Sequence, residues 1–292
     1  MRHRYVSILF WILSVLLTLF LAVYQRMTGP TYPIRGHETV NGRTVTYQLL
    51  RTHTAHQALP IRLEAPDSSI SATLSFKRFK TQDAWTEVPM TREGNRLIGS
   101  IPGQPMAGKV EYQVRLSIDG ERFLLHHGEP VIARFKGNVP LPFLILHILL
   151  MFFSILMGVR TGLETLRTNG NYSWMVTATL LITGVGGMIL GPIVQWYAFG
   201  DAWTGFPMGT DLTDNKILIA MILWIAAFFL KKKSKWWVFA AVVVMVIVYL
   251  VPHSVMGSEL DYATGKMRNK YSVLKAEQKN SFSLEFKLHL ST

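Results

Sequence analysis

The sequence contains no cysteine. This absence excludes disulfide bonds, thiolate metal sites and covalently attached c-type haem, but it is compatible with an oxidising compartment. The sequence also lacks a nucleophile elbow, a phosphate-binding glycine loop, the EF-hand spacing and the H-E-x-x-H pattern. No established motif therefore identifies a reaction, and the catalytic residues, if there are any, stay unknown.

Ionisable side chains are scarce inside the long apolar runs. About 20 helical residues cross the hydrocarbon core of a bilayer, and five runs reach or approach that length, at 5–24, 141–159, 174–196, 212–230 and 236–251. The last run is short, but Trp236 and Trp237 suit an interfacial belt; a buried helix of a soluble core is the alternative. His147 is the sole ionisable residue well inside a run, so we do not expect a solitary transporter or pump.

Basic residues in the short loops predict the orientation, because such residues are retained on the cytoplasmic side. They fall at alternate ends of the runs: Arg2, Arg4, Arg160, Arg167, Lys231, Lys232, Lys233 and Lys235. The predicted location is thus the bacterial inner membrane, with the N-terminus cytoplasmic and the C-terminus outside. A cleaved signal peptide at 1–27 is the alternative, which the length of the run and the lack of an Ala-x-Ala site disfavour.

The polar segment between the first and second runs has the pattern of β-strands. Apolar residues at 110, 112, 114, 116 and 118 alternate with polar ones, and Asp119-Gly120 is a hairpin signal. Seven or eight short strands predict an antiparallel β-sandwich. The run 107–121, AGKVEYQVRLSIDGE, resembles late strands of immunoglobulin-like and fibronectin type III-like modules, with Tyr112 at the place of their tyrosine corner. This resemblance implies a fold and no activity.

These patterns together predict a mixed membrane protein, in which a five-span α-helical bundle carries an exported β-sandwich between its first two spans. The predicted parts are an anchor helix at 1–27, the sandwich at 28–139, a four-helix membrane domain at 140–252 with an outer loop at 196–215, and an exported tail at 253–292. Residues 282–290 of the tail alternate in polarity. They predict a final strand, which pairs with the edge of the sandwich or with a partner subunit.

Two features of the predicted bundle indicate a function. Gly187 and Gly191 have the small-xxx-small spacing that lets another helix approach closely. His147 admits two interpretations: a hydrogen bond to a Ser or Thr of the third run, or an axial ligand to a b-type haem. In the second, the glycines make room for the porphyrin and His253 is the possible second ligand.

Acidic residues cluster in the two segments predicted to lie outside the membrane. Carboxylates with one histidine on neighbouring loops suit a divalent cation, and the candidate ligands are Asp201, Asp211, Asp214, His253, Glu259 and Asp261. Helix capping is the alternative role for the 211–214 group.

Three classes of function follow from these observations. The first is an accessory or structural subunit of a bacterial cell-envelope membrane complex, for which a respiratory or redox assembly is one option. The exported β-domain would be its docking surface. Its partners are membrane lipid and other membrane or periplasmic subunits. The second is a haem- or metal-binding membrane protein. The third is a hydrolase at the membrane interface, with His253 and Glu259 or Asp261 as acid and base. Nucleic acid is not an expected partner, because more than half of the net charge of +12 lies in the cytoplasmic loops.

Overall fold

The computed structural model describes residues 2–252 and 259–267 of the chain. These residues form a bundle of apolar helices and a domain of two β-sheets, which confirms a mixed helical and β protein. The strand predicted at 282–290 lies outside the described residues, as does His253.

The helices coincide with the apolar runs. Their bounds are Arg2–Thr28 (α1), Leu141–Thr165 (α2), Ser173–Thr183 (α3), Gly191–Phe199 (α4), Leu212–Leu230 (α5) and Trp236–Leu250 (α6). A π-helical segment, Gly184–Leu190, joins α3 to α4, so that 173–199 is one continuous helix. Four helices of the described chain are long and apolar enough to cross a membrane, namely α1, α2, this continuous helix and α5. The fifth, α6, is apolar but only 15 residues long.

Eleven strands lie between α1 and α2, and a short hairpin follows α6. The strands are Ile34–Val40 (β1), Arg43–Leu49 (β2), Thr52–Thr54 (β3), Leu59–Glu64 (β4), Ser71–Arg78 (β5), Thr86–Pro89 (β6), Thr91–Glu93 (β7), Arg96–Ile101 (β8), Lys109–Ile118 (β9), Glu121–Leu124 (β10), Val131–Lys136 (β11), Leu260–Asp261 (β12) and Lys266–Met267 (β13). A 3₁₀ turn, His126–Gly128, precedes β11.

The strands between α1 and α2 form two sheets, which we call the β-domain. One sheet has the order β1-β2-β4-β8-β7, and the other has the order β3-β11-β9-β5-β6 with β10 beside β9. Buried residues of both sheets, such as Ile61 and Leu63 of one and Leu74 and Val114 of the other, belong to a single hydrophobic core. One pair differs from the antiparallel prediction: β3 runs parallel to β11, because the chain leaves the first sheet after Leu49 and joins the edge of the second.

The alternation of residues along β9 explains why it is a central strand. Its residues at 110, 112, 114, 116 and 118 are all buried, as the period-2 pattern predicts. The Asp119-Gly120 turn leads directly into β10, and Ile118 pairs with Glu121. Tyr112 is fully buried and its hydroxyl donates to the Leu50 carbonyl at 2.9 Å. Burial raises the pKa of this phenol far above its ordinary value.

Small and hydroxylated residues hold the helices together. An added Cβ at Gly158 would lie 2.6 Å from Met245 Sδ, and one at Gly162 would lie 2.8 Å from Val242, so α2 and α6 approach closely. Ser154 and Thr183 share a hydrogen bond of 2.5 Å between α2 and α3. The helices therefore pack through a small-xxx-small pair that sequence reasoning did not select.

The β-domain sits at one end of the bundle, where α1, α4 and α6 end and where α2 and α5 begin; we call this the β-domain end, and the opposite one the far end. The Gly137 amide donates to the Ala198 carbonyl at 2.8 Å. The guanidinium of Arg134 on β11 lies 5.3 Å from the ring centroid of Phe199 on α4. After α6, Lys109 of β9 forms an ion pair of 2.9 Å with Glu259. The end of β11 thus contacts the end of α4, and the chain after α6 returns to the β-domain.

Candidate ligand cavity

A cavity of about 620 Å³ lies among the helices at the β-domain end. The volume is within the range of pockets that hold small ligands and cofactors. Most of its lining is apolar, including Leu21 of α1, Met151 and Ile155 of α2, and Ile217 and Ala220 of α5. The charged residues around it are Arg26, Arg134, Asp211, Asp214 and Lys216. The cavity therefore combines a long apolar wall with charges at the end next to the β-domain.

The loop between α4 and α5 fixes the two carboxylates. Asp211 is the N-cap of α5, and its side chain accepts from the Thr213 amide at 2.8 Å. The Asp214 carboxylate accepts from the Thr204 amide at 2.6 Å and from the Gln195 side-chain amide at 3.0 Å. Thr204 Oγ1 lies within hydrogen-bond distance of both carboxylates. These bonds hold the acidic groups against the loop and cap the first turn of α5.

The end of α6 is capped by side chains of two other helices. Lys216 Nζ donates to the Val251 carbonyl at 2.8 Å and more weakly to that of Pro252 at 3.4 Å. The side-chain amide of Gln25 donates to the carbonyls of Tyr249 and Val251. Because the last carbonyls of a helix lack partners within the helix, these donors stabilise its end. These contacts also place the buried ammonium group of Lys216 at the cavity.

Arg134 brings a second buried cation to the cavity, from the β-domain. It is 8% exposed and its guanidinium faces Phe199. Burial lowers the pKa of Arg134, whereas the charges of Asp211 and Glu259 act in the opposite direction. An arginine keeps its charge under such conditions, so the β-domain contributes a permanent positive charge.

His147 lies deeper along the cavity, next to the π-helical segment. Its Nδ1 is 2.8 Å from the Gly186 carbonyl, which also accepts from the Gly191 amide. Because a carbonyl only accepts, Nδ1 carries the proton, and Nε2 of the neutral ring is an acceptor. An added Cβ at Gly191 would lie 3.8 Å from the His147 ring. The glycine therefore leaves room beside the imidazole. The hydrogen bond joins the second helix to the third, as one interpretation expects, but through a backbone carbonyl instead of a hydroxyl.

Five of the residues selected from the sequence line this one cavity: His147, Gly187, Gly191, Asp211 and Asp214. The two glycines differ in their surroundings, since an added Cβ at Gly187 would lie 2.5 Å from the Ile217 side chain. Gly187 thus makes the close helix contact, with α5, whereas Gly191 borders the cavity.

The remaining candidates lie elsewhere. Asp201 is partly exposed and does not line the cavity. Glu259 binds Lys109 and Lys80 at the β-domain, and Asp261 accepts from the Ala263 amide in the β12–β13 turn. Within residues 2–252 and 259–267, no group of three or more His, Cys, Asp or Glu side chains is arranged to hold a metal ion. His253 lies outside those ranges, so its proposed roles stay predictions.

The hairpin after α6 borders a second, polar depression of about 320 Å³ on the β-domain. Tyr262 donates to the Lys109 carbonyl at 2.9 Å, and burial raises the pKa of this phenol to about 12. For Glu259, burial alone would raise the carboxyl pKa, but the hydrogen bond and charge of Lys109 lower it below the ordinary value. These contacts attach the hairpin to the β-domain.

Sequence reasoning missed several polar residues of the cavity, among them Gln25, Arg26, Arg134, Gln195 and Lys216. Lys216 and Gln195 lie near the ends of apolar runs, where a polar residue is ordinary. Arg134 is one of many basic residues in a strand pattern. No local signal could have united them, because they come from four elements distant in sequence.

Neither a protein-family model nor a curated protein matches this sequence. A solved structure described as "Crystal structure of Br derivative BhCBM56" is similar over 34% of this chain and 97% of its own, with 11% sequence identity and a TM-score of 0.25.

Proposed function

We propose that this protein is an accessory membrane protein of the bacterial cell envelope that holds an amphipathic molecule in the cavity at the β-domain end. The observation that carries the proposal is the cavity itself, with an apolar wall along the helices and charged groups at one end. A ligand with an apolar body and a polar head would match both parts.

The contribution of Arg134 supports an accessory role. This residue belongs to a strand of the β-domain, yet it lines a cavity among the helices. A ligand in the cavity would therefore contact both parts of the protein at once. In the proposed function, the β-domain docks on a membrane or periplasmic partner. The ligand in the cavity holds the β-domain in the position that docking requires.

The distribution of charge supports the proposed topology of five spans. The far end has Arg160, Arg167 and the basic 231–235 segment, as expected for a cytoplasmic face. The β-domain would then lie outside the inner membrane. The short helix α6 counts as the fifth span, because it begins at the far end and Glu259, nine residues after its last residue, contacts the β-domain. Two sheets around a single core also fit the immunoglobulin-like interpretation.

Purification from the native membrane tests this function. The sample is analysed by mass spectrometry for bound small molecules and for partner proteins. We expect one amphipathic molecule per chain in the wild type and its loss in Gly191→Leu, since the new side chain would fill the space beside His147. Val185→Leu is the matched control, because Val185 is 43% exposed in the same helical segment and does not line the cavity. Equal occupancy of wild type and Gly191→Leu would contradict the proposal.

Haem is a second candidate ligand, favoured by the hydrogen bond of His147. Histidines that bind metals commonly donate their other ring nitrogen to a carbonyl, as His147 does to Gly186. An absorption spectrum of the same sample tests this candidate. A Soret band that disappears in His147→Ala would support it, and a preparation supplied with haem that shows no such band would exclude it.

A further inference from the structure

The charged end of the cavity has two acids and three cations. Asp214 accepts hydrogen bonds from the Thr204 amide and from Gln195, and Asp211 accepts from the Thr213 amide. Both carboxylates therefore have donors within the 204–214 loop. The cations Arg26, Arg134 and Lys216 outnumber these two acids, so the charged end of the cavity is positive.

Lys216 retains bonding capacity for a ligand. An ammonium group has three N–H donors, and the described residues supply two acceptors, the carbonyls of Val251 and Pro252. The second of these contacts is long at 3.4 Å. Arg134 adds a guanidinium, whose planar fork suits phosphate and carboxylate groups. Arg26 is exposed at the end of α1 and lies over the Tyr32 ring, so it marks the rim of the cavity.

In the proposed topology, the apolar wall lies at the depth of the hydrocarbon. Ile148 and Phe152 line the cavity and are 41% and 38% exposed. They lie four residues apart on α2, and therefore on the same face of a helix that spans the apolar layer. An acyl chain could enter between the helices at this face without leaving the membrane.

We propose that the cavity binds an anionic membrane phospholipid, with an acyl chain along the apolar wall and the phosphate against Arg134 and Lys216. This inference rests on the proposed function and narrows its ligand to one class. The headgroup would touch β11 and α5 simultaneously, so the lipid would join the β-domain to the bundle.

Reconstitution with two lipids tests this selectivity. The purified full chain is stripped of lipid, incubated with mixed vesicles of equal phosphatidylglycerol and phosphatidylcholine, and analysed by native mass spectrometry for the tightly bound lipid. We expect the wild type to retain phosphatidylglycerol preferentially. Arg134→Gln and Lys216→Gln should each reduce this preference about fivefold, the effect of one cation near an anionic headgroup.

The matched control removes two positive charges at the far end. Lys232 and Lys233 are exposed there, and Lys232→Gln/Lys233→Gln should leave the preference unchanged. Lys216→Arg should preserve it, because the charge remains. Thermal unfolding of every variant identifies any that fail to fold. If Arg134→Gln is one of them, the comparison of Lys216→Gln with Lys216→Arg still tests the selectivity.

The possible outcomes separate the two proposals. Equal retention of both lipids by the wild type, with reduced retention in Gly191→Leu, would overturn the anionic selectivity and leave the amphipathic cavity in place. Retention of neither lipid, together with native protein that carries no small molecule, would overturn both. A free fatty acid or a haem in the native sample would replace the phospholipid as the ligand.

Discussion

The two ends of the helical bundle bury charge in different ways. At the far end, Glu164 accepts from Arg160 at 2.6 Å and from Arg167 at 2.7 Å. The side chain of Arg160 is 2% exposed and that of Glu164 is 5% exposed. Arg160 also donates to Ser7 at 3.2 Å and lies over the Trp11 ring. At the β-domain end, by contrast, charges surround a cavity. Buried charge that is closely paired and packed indicates a structural role, whereas charge around open space indicates a ligand.

The strongest test of this comparison is Glu164→Gln at the far end. The substitution keeps the size of the side chain but leaves the buried guanidinium of Arg160 without its counter-charge. We expect a loss of about 3–5 kcal/mol in the free energy of unfolding, measured by thermal or detergent-induced unfolding. The exposed Glu129 provides a control, since Glu129→Gln should change stability by less than about 0.5 kcal/mol. Wild-type stability of Glu164→Gln would mean that the far end is not held by its charges.

The two glycines of the continuous helix 173–199 sharpen the comparison at the cavity. Gly187→Ala should destabilise the protein by about 1–3 kcal/mol, because the new methyl group overlaps Ile217. Gly191→Ala should be neutral or slightly stabilising, since the same group would meet the His147 ring at an ordinary van der Waals distance of 3.8 Å and alanine favours the helix. The measurement is the melting temperature of each purified variant. Ile217→Ala should partly restore Gly187→Ala; if it does not, the overlap is not the cause.

The attachment of the hairpin should depend on pH. Since the pKa of Glu259 is lowered in the folded protein, its ion pair stabilises the contact above the ordinary value of 4.5 and loses this effect as the pH falls through the lower, folded value. We expect the protection factor of the Leu260 amide, which donates to the Ala107 carbonyl, to decrease below pH 4.5. Glu259→Gln should cost about 1.5 kcal/mol at pH 7 and remove this pH dependence. An unchanged dependence in Glu259→Gln would assign it to another group.

The smallest expected effect is at the start of α5. Asp211→Ala removes the N-cap and should cost about 1 kcal/mol, measured by thermal unfolding. Asp211→Asn keeps an oxygen acceptor for the Thr213 amide and should restore most of this stability. Equal losses in both variants would indicate that the negative charge, and not the cap, is what stabilises the helix.

The sequence was most informative wherever one segment determines its own structure. The apolar run 212–230 coincides with α5, and the alternation at 110–118 with β9. The secondary structure of such segments can be predicted from their length and periodicity, because both are properties of the segment itself. The G-x-x-x-G pair at 158 and 162 was also present as a local signal. It has the same spacing as the pair at 187 and 191.

The cavity could not be predicted in this way. Its charged end combines Arg134 from a β-strand with Asp211, Asp214 and Lys216 from a helix about 80 positions later in the chain. Their proximity depends on how the β-domain sits on the bundle, which is a tertiary arrangement without a local pattern. The same holds for Arg160, which reads from the sequence as a loop charge and is buried in the structure.

The π-helical segment at 184–190 has a consequence for the direction of every side chain after it. One extra residue in a turn shifts the following helix by about 100° relative to a continuous α-helix. Gly187 can therefore face Ile217 while Gln195, further along, faces Asp214. Deletion of one residue from this segment would restore a regular helix and turn Gln195 and Phe199 away from the charged loop and Arg134. A single wide turn thus sets the angular alignment between the helical bundle and the β-domain.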